Sequence, residues 1–167
     1  MIVFGKENKG LEDHAPFLTE LSEEEDNRLR IKIALSVIGK TADAFSEISD
    51  FSGDEKIAKI FSGAVPVYPD YDRIYDIVFD RYIMYQVRNE SYSSWDNYEI
   101  RKGKYFIVFE QSRLLDYLST ATDCRILCDG SFYPDRWNHY GIYCQDHIID
   151  IVTAVPPEVK LQIDGKT

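Results

Sequence analysis

Six short segments after residue 72 constrain the fold of this 167-residue chain more than any other feature of its sequence. They are rich in Ile, Val, Tyr and Phe, and turn-forming residues separate them, a pattern typical of β-strands. The segments are RIYDIVFD, YIMYQV, YEIR, KYFIVFE, HYGIYC and HIIDIV. Asp80-Arg81 and Lys102-Gly103 lie between such runs at the distance of a hairpin turn, and glycine accepts the positive φ that many hairpin turns need. Residues 72–159 are therefore predicted to form a mostly antiparallel sheet.

One helix is predicted to interrupt this sheet. The segment SRLLDYLSTAT begins with Ser112, a residue type that caps helix N-termini. Its apolar side chains then recur on one helical stripe, at Leu114, Leu115, Tyr117 and Leu118.

The N-terminal third has a different pattern. Residues 1–27 are polar and predict a loose N-terminal arm, whose acidic block SEEED suits the first turn of a helix. From Ile31 apolar residues recur at helical spacing, and DEKIAKIF predicts a second short helix, so 28–62 is predicted to be helical. A strand over 29–37 is the alternative, because Ile33 and Val37 lie off the helical stripe. The stripe comprises Leu35, Ile38, Ala42, Phe45 and Ile48.

Together these elements predict one α+β domain over residues 1–167, with helices packed on one face of a mostly antiparallel sheet. A chain of this length can bury a sizeable core without disulfides or metals. The predicted core side chains are Leu35, Ile38, Phe45, Ile77, Phe79, Ile107, Phe109, Leu115, Leu118, Ile142 and Ile149.

The net charge of the chain limits the kinds of molecule that it is expected to bind. The chain has 29 acidic and 19 basic side chains, a formal net charge of −10, and such a field repels phosphate backbones and attracts basic proteins. A nucleic acid is therefore not the expected partner. No apolar run is long enough for a membrane helix and no export signal is evident, so we expect a cytoplasmic protein whose three cysteines are thiols.

The segment NHYGIYCQDHIIDIV, residues 138–152, gathers two of the three histidines and one cysteine. If 139–144 pairs with 147–152 through a turn at Gln145-Asp146, residues 142 and 149 face each other. Cys144 and His147 then lie on the core-side face, and His139 and Asp150 lie on the other face. An aspartate there can orient an imidazole, although most such cross-strand pairs are exposed and weak.

This parity argues against a metal or catalytic site. A zinc ion needs about four converging ligands, whereas only Cys144 and His147 could share a metal in this register, and no G-x-S-x-G motif is present. We therefore predict no metal, no cofactor and no catalytic residue. A small hydrolase or metal-dependent enzyme remains the alternative, and it would use His139, Cys144, His147 and Asp150.

Two turn regions combine aromatic side chains with carboxylates, as protein interfaces do. They are ESYSSWDNY, residues 90–98, and the stretch around GSFYPDRW, residues 130–137. Loops on a rigid sheet are where binding residues concentrate. The predicted partner-binding residues are Glu90, Trp95, Asp96, Asp129, Asp135 and Trp137.

Three segments carry a resemblance to a known group of proteins. YQVRNESYSSWDNYE, YFIVFEQSRLLDYLSTAT and HYGIYCQDHIIDIVTAVPPEV resemble an uncharacterised family of short, acidic, cytosolic bacterial proteins. The resemblance covers about residues 72–159 and implies a class that includes immunity proteins of polymorphic toxin systems. The resulting hypothesis is an immunity protein that occludes a basic toxin domain, and a structural or regulatory protein is a further alternative.

Overall fold

The computed structural model describes residues 2–9, 11, 14–39 and 65–163 of the chain. This part is mostly antiparallel β-sheet. Its strands, in chain order, are β1 (Phe17–Glu24), β2 (Arg28–Ile38), β3 (Val67–Phe79), β4 (Tyr82–Asn89), β5 (Ile100–Lys102), β6 (Phe106–Gln111), β7 (Arg125–Ile126), β8 (Phe132–Tyr133), β9 (Asn138–Tyr143), β10 (His147–Thr153) and β11 (Glu158–Ile163). Helix α1 is Arg113–Ala121, and 3₁₀ turns cover Glu25–Asn27 and Glu90–Tyr92.

The strands form two main antiparallel sheets. The four-stranded sheet has the order β1-β2-β3-β11, and the five-stranded sheet has the order β4-β10-β9-β6-β5. β7 and β8 form a separate two-stranded ribbon. The chain passes from one sheet to the other at Asp80-Arg81, between β3 and β4, where Arg81 has a φ of 51°.

The main core lies between the two sheets. Apolar side chains alternate with polar ones along β2 and β3, so each strand turns one face inward. One continuous cluster joins buried residues of both sheets, among them Leu29, Ile31, Ile33, Ile77, Phe79, Phe106, Ile142, Ile149 and Ile151.

A second, smaller core lies on the outer face of the five-stranded sheet. Here Leu114 and Leu118 of α1 pack with Trp137 and with Val152 of β10. Ser112 caps the helix as predicted, because its Oγ accepts the amide of Leu115 at 3.1 Å. β10 therefore contributes to both cores through its two faces.

The predicted α+β class is wrong. The described residues are mostly antiparallel sheet with one short helix, rather than a sheet covered by several helices. Residues 28–38, predicted as helix, form β2, so the alternative of a strand over 29–37 is confirmed. Residues Leu29, Ile31 and Ile33 are fully buried at a spacing of two, whereas Ile38 of the proposed helical stripe is 62% exposed. The predicted helical residues 40–62 lie outside the described part of the chain.

The predicted N-terminal arm is also wrong over the residues described. Phe17–Glu24 forms an edge strand paired with β2, and Ile2 and Leu11 are buried in the main core. The acidic block does not start a helix, since it ends β1 and enters the turn to β2. Asp26 and Asn27 adopt φ values of 60° and 56° there, a conformation that Asp and Asn tolerate better than most residues.

The sheet predicted for residues 72–159 is confirmed, and so is the turn at Lys102-Gly103. Gly103 has a φ of 91°, and a Cβ at this position would lie 2.5 Å from the carbonyl oxygen of Phe106. Most of the predicted core is buried; Leu115 is half-buried, Ile38 is exposed, and Phe45 lies outside the described residues. No helix in the described ranges is long and apolar enough to cross a bilayer.

Candidate functional site

The hairpin of β9 and β10 has the register that its alternation predicts. Ile142 lies opposite Ile149, and the amide of Cys144 donates to the carbonyl of His147 at 2.8 Å across the turn. His139 and His147 therefore lie on opposite faces, as predicted. Cys144 is buried in the main core, and His147 is exposed at the end of the hairpin.

His139 lies on the face that α1 covers and is part of a buried polar network. Its Nδ1 is 2.8 Å from Oγ of Ser112, and its Nε2 is 3.1 Å from Oδ1 of Asp150. All three side chains are at most 1% exposed. Because the ionised Asp150 carboxylate can only accept, Nε2 of His139 carries the proton of that hydrogen bond. In the neutral imidazole Nδ1 is then an acceptor, and the Ser112 hydroxyl, whose oxygen also accepts the Leu115 amide, donates to it.

Further side chains complete this network. Oδ2 of Asp150 accepts from Arg88 Nη2 at 2.9 Å and from Gln86 Nε2 at 3.0 Å, and the Phe109 ring stacks on His139 with centroids 4.0 Å apart. Burial raises the pKa of Asp150, but hydrogen bonding and charge from His139, then Arg88 and Gln86, outweigh it. The net pKa of Asp150 lies below its ordinary value, so the carboxylate is ionised at neutral pH.

Serine, histidine and aspartate also form the triad of serine hydrolases, but this arrangement differs from that triad. In the triad the serine bonds to Nε2 of the histidine, whereas Ser112 bonds to Nδ1 of His139. Ser112 has no exposed surface, so a substrate carbonyl cannot reach its Oγ in this conformation. The network instead links the start of α1 to the hairpin and, through Arg88, to β4.

The four residues of the enzyme alternative do not meet. His139 and Asp150 lie under α1, whereas Cys144 and His147 lie on the opposite face of the hairpin. Burial, followed by the charge of Asp146, raises the pKa of Cys144 to about 12, which leaves it a thiol at neutral pH. In residues 2–9, 11, 14–39 and 65–163, no group of three or more His, Cys, Asp or Glu side chains could hold a metal ion.

Residues 90–98, here called the Trp95 loop, present aromatic side chains to solvent. Trp95 is 71% exposed and Tyr92 is 89% exposed, while Glu90 is exposed and Asp96 is half-buried. Tryptophan and tyrosine are enriched in protein interfaces, so two such exposed side chains in one loop make the loop a candidate binding surface.

The exposed Trp95 ring is held in place. Its Nε1 donates to Oδ1 of Asn97 at 2.7 Å, and the guanidinium carbon of Arg101 lies 4.0 Å from the ring centroid. Arg101 also donates to the hydroxyl of Tyr143 at 3.1 Å. The ring is therefore positioned against the five-stranded sheet before any partner arrives.

Several contacts fix the backbone of the Trp95 loop. The amide of Glu90 donates to the carbonyl of Asp146 at 3.1 Å, and Oδ2 of Asp96 pairs with Arg113 at 2.9 Å. The Tyr98 amide donates to Oδ1 of Asp96 at 2.9 Å. This hydrogen bond from Tyr98, followed by that from Arg113, lowers the pKa of Asp96. Asp96 therefore mainly stabilises the conformation of the loop through these two contacts.

Residues 129–137, here called the Trp137 loop, place their predicted binding residues differently. Asp129 and Asp135 are exposed, and Asp129 also closes its own turn by accepting the Ser131 amide at 2.9 Å. Trp137 is only 8% exposed and packs edge-on against Phe132 at 4.6 Å between centroids. Its ring anchors the loop on the second core rather than facing solvent.

Both loops border one groove beside α1, with a volume of about 760 Å³. Tyr98 reaches it from the Trp95 loop, and Arg136 and Trp137 reach it from the Trp137 loop. His139 and Ser112, which are both buried, also belong to its lining. The structure thus brings the two predicted binding regions to the same side of the five-stranded sheet.

Sequence reasoning missed three features of this region. The helix pattern predicts Ser112 only as a cap, hairpin parity predicts His139 and Asp150 as an exposed pair, and no pattern singles out Tyr92. The contact of Arg88 and Gln86 with Asp150 depends on the pairing of β4 with β10, which no local pattern specifies.

Comparison of the chain with protein-family models, with curated proteins and with solved structures found no significant match in any of the three.

Proposed function

We propose that this chain is a protein-binding module, an immunity protein that occludes the active site of a basic toxin domain in the cytoplasm. One observation carries the proposal. The Trp95 loop exposes Trp95 and Tyr92, while Asn97 and Arg101 contact the Trp95 ring from within the protein. Tryptophan and tyrosine are the residue types most enriched among binding hot spots.

The fixed loop lowers the cost of association. A flexible loop loses conformational entropy when a partner orders it, at about 0.5–1.5 kcal/mol for each side chain immobilised. The Trp95 ring is already restrained by Asn97 and Arg101, so little of this cost remains. The buried Ser112–His139–Asp150 network supports the same region, because it fixes the start of α1, where Arg113 holds Asp96.

Charge supports a basic partner. Glu90, Asp129 and Asp135 are exposed and have no ion-pair partner within the described ranges, in a chain with a net charge of −10. They are available to the lysines and arginines with which a nuclease or similar toxin holds phosphates. Asp96 contributes less to such pairing, because Arg113 already neutralises it.

The experiment measures binding and protection together. The protein is co-expressed with a candidate basic toxin domain, and survival of the host cells measures protection. Association of the two purified proteins is followed by surface plasmon resonance at low and physiological salt. We expect Trp95→Ala to raise the dissociation rate by roughly 30-fold, a typical hot-spot loss of about 2 kcal/mol. Glu90→Lys should mainly slow association, and the association rate of the wild type should fall steeply with salt.

Tyr71→Ala is the matched control. Tyr71 is 66% exposed, but it lies on β3 of the other sheet, so its truncation should leave binding and protection unchanged. Unchanged binding and protection in Trp95→Ala, Tyr92→Ala and Glu90→Lys would overturn the assignment of this surface. If no basic protein binds the wild-type chain, the immunity function itself is wrong.

A further inference from the structure

We propose that the groove beside α1 binds a small anionic ligand that carries an aromatic ring, of the class represented by nucleoside monophosphates. The proposal does not depend on the immunity function, since it rests on side chains that line the groove and not on the exposed Trp95, Tyr92 and Glu90. The groove has a volume of about 760 Å³, within the roughly 300–1,000 Å³ typical of small-molecule sites.

Two arginines supply the positive charge. Arg125 on β7 and Arg136 in the Trp137 loop both line the groove, and neither has an ion-pair partner in the part of the chain described. Each guanidinium carbon instead lies over an aromatic ring, at 5.6 Å from the Tyr133 centroid and 5.9 Å from the Phe132 centroid. Two unpaired guanidinium groups at one groove favour an anion, because arginine binds phosphates and carboxylates through paired N–H donors.

The acidic residues at the groove offset only part of this charge. Glu110 is ion-paired with Lys102, whereas Asp116 keeps its negative charge, because its partner, the Tyr98 hydroxyl at 3.0 Å, is neutral. In a chain with a net charge of −10, an anion approaches against the overall field. Binding therefore requires the local arginines.

The remaining lining suits a planar ring with polar edges. Aromatic side chains from the sheet, both loops and the ribbon surround the groove, namely Tyr98, Phe109, Phe132 and Trp137. Asn138 is half-buried at the groove, and its side-chain carboxamide makes no hydrogen bond within the described residues. A free carboxamide can both donate to and accept from the edge of a heterocyclic base.

The test uses the fluorescence of Trp137, which lines the groove. In a Trp95→Phe background Trp137 is the sole tryptophan, because the chain contains two. The protein is titrated with adenosine 5′-monophosphate, with adenosine and with inorganic phosphate. We expect the monophosphate to change Trp137 emission with a dissociation constant below about 1 mM. Adenosine and inorganic phosphate should each bind at least about tenfold more weakly than the monophosphate.

Variants locate the site. Arg125→Ala and Arg136→Ala should each weaken binding of the monophosphate by roughly tenfold, and Arg136→Lys should restore only part of the loss, since lysine lacks the paired donors. Arg81→Ala is the matched control, because Arg81 is an exposed arginine in the β3–β4 turn, away from the groove. Thermal unfolding of every variant confirms that it is folded.

Three results would overturn the proposal. The first is no change of Trp137 emission with the monophosphate, or a change that gives a dissociation constant of about 1 mM or higher, because such binding is too weak to be specific. The second is equal affinity for inorganic phosphate, which would remove the aromatic ring from the ligand class. The third is unchanged affinity in the Arg125→Ala/Arg136→Ala double variant, which would place the ligand elsewhere.

Discussion

Asp150 is the residue on which the buried polar network depends, because it receives hydrogen bonds from His139, Arg88 and Gln86. A buried carboxylate is stable in a protein interior only when donors surround it. Substitution by asparagine keeps the shape but replaces one acceptor oxygen with a donor. We expect Asp150→Asn to lower the free energy of unfolding by about 3 kcal/mol at pH 7.

The same prediction has a pH dependence with a definite sign. The pKa of Asp150 is lower in the folded protein than its ordinary value, so its stabilisation is fully present above about pH 4. That stabilisation is lost as pH falls through the lower folded pKa. Urea unfolding of wild type and Asp150→Asn between pH 7 and pH 3 should show a difference that shrinks only below about pH 4. Asp146→Asn, at an exposed position of the same hairpin, is the control. If Asp150→Asn lowered the free energy of unfolding no more than Asp146→Asn does, the role of the network would be refuted.

The three thiols should differ sharply in reactivity. Cys128 is exposed, whereas Cys124 and Cys144 are buried, and burial raises the pKa of Cys144 to about 12. Alkylation by iodoacetamide at pH 8, read by mass spectrometry, should label Cys128 rapidly and leave the other two largely unmodified. Unfolding in urea should make all three equally reactive. Rapid labelling of Cys144 in the native protein would contradict the buried environment described here and revive a nucleophilic role.

At the scale of single elements, α1 depends on one apolar stripe. Leu118 is fully buried in the second core, whereas its neighbour Tyr117 is 57% exposed. Leu118→Ala should reduce the free energy of unfolding by about 2–5 kcal/mol, because the helix cannot collapse onto the cavity completely. Tyr117→Ala is the matched control and should change stability by only about 0.5 kcal/mol. Chemical denaturation of both variants tests the orientation of the helix.

At the scale of the whole molecule, the β9–β10 hairpin joins both cores. Ile142 and Ile149 belong to the core between the sheets, and Val152 belongs to the core under α1. Neither core can lose its packing without loss of the shared strands, so we expect one cooperative unfolding transition. In the Trp95→Phe variant, Trp137 fluorescence reports the second core, and circular dichroism reports the sheets. The two urea curves should coincide, and an earlier fluorescence transition would show that α1 unfolds separately.

Local sequence determined the features that depend on neighbouring residues. The register of 139–144 with 147–152 follows from strict alternation around a two-residue turn, and Ser112 caps α1 because its hydroxyl bonds three residues along the chain. Gly103 likewise marks a turn that needs a positive φ. The candidate binding loops were also visible, as clusters of aromatic and acidic residues at turns.

Only the tertiary structure decided the features that depend on distant partners. Residues 28–38 carry apolar side chains that fit both a period of two and a helical stripe, and pairing with β1 and β3 selected the strand. The alternation of the hairpin places His139 and Asp150 on one face. Contacts with Ser112 at the start of α1 and with Arg88 of β4 join these two side chains into a buried network. The physical reason is the same in both cases: burial and hydrogen-bond partners come from segments far apart in the chain, and no local pattern specifies which segments meet.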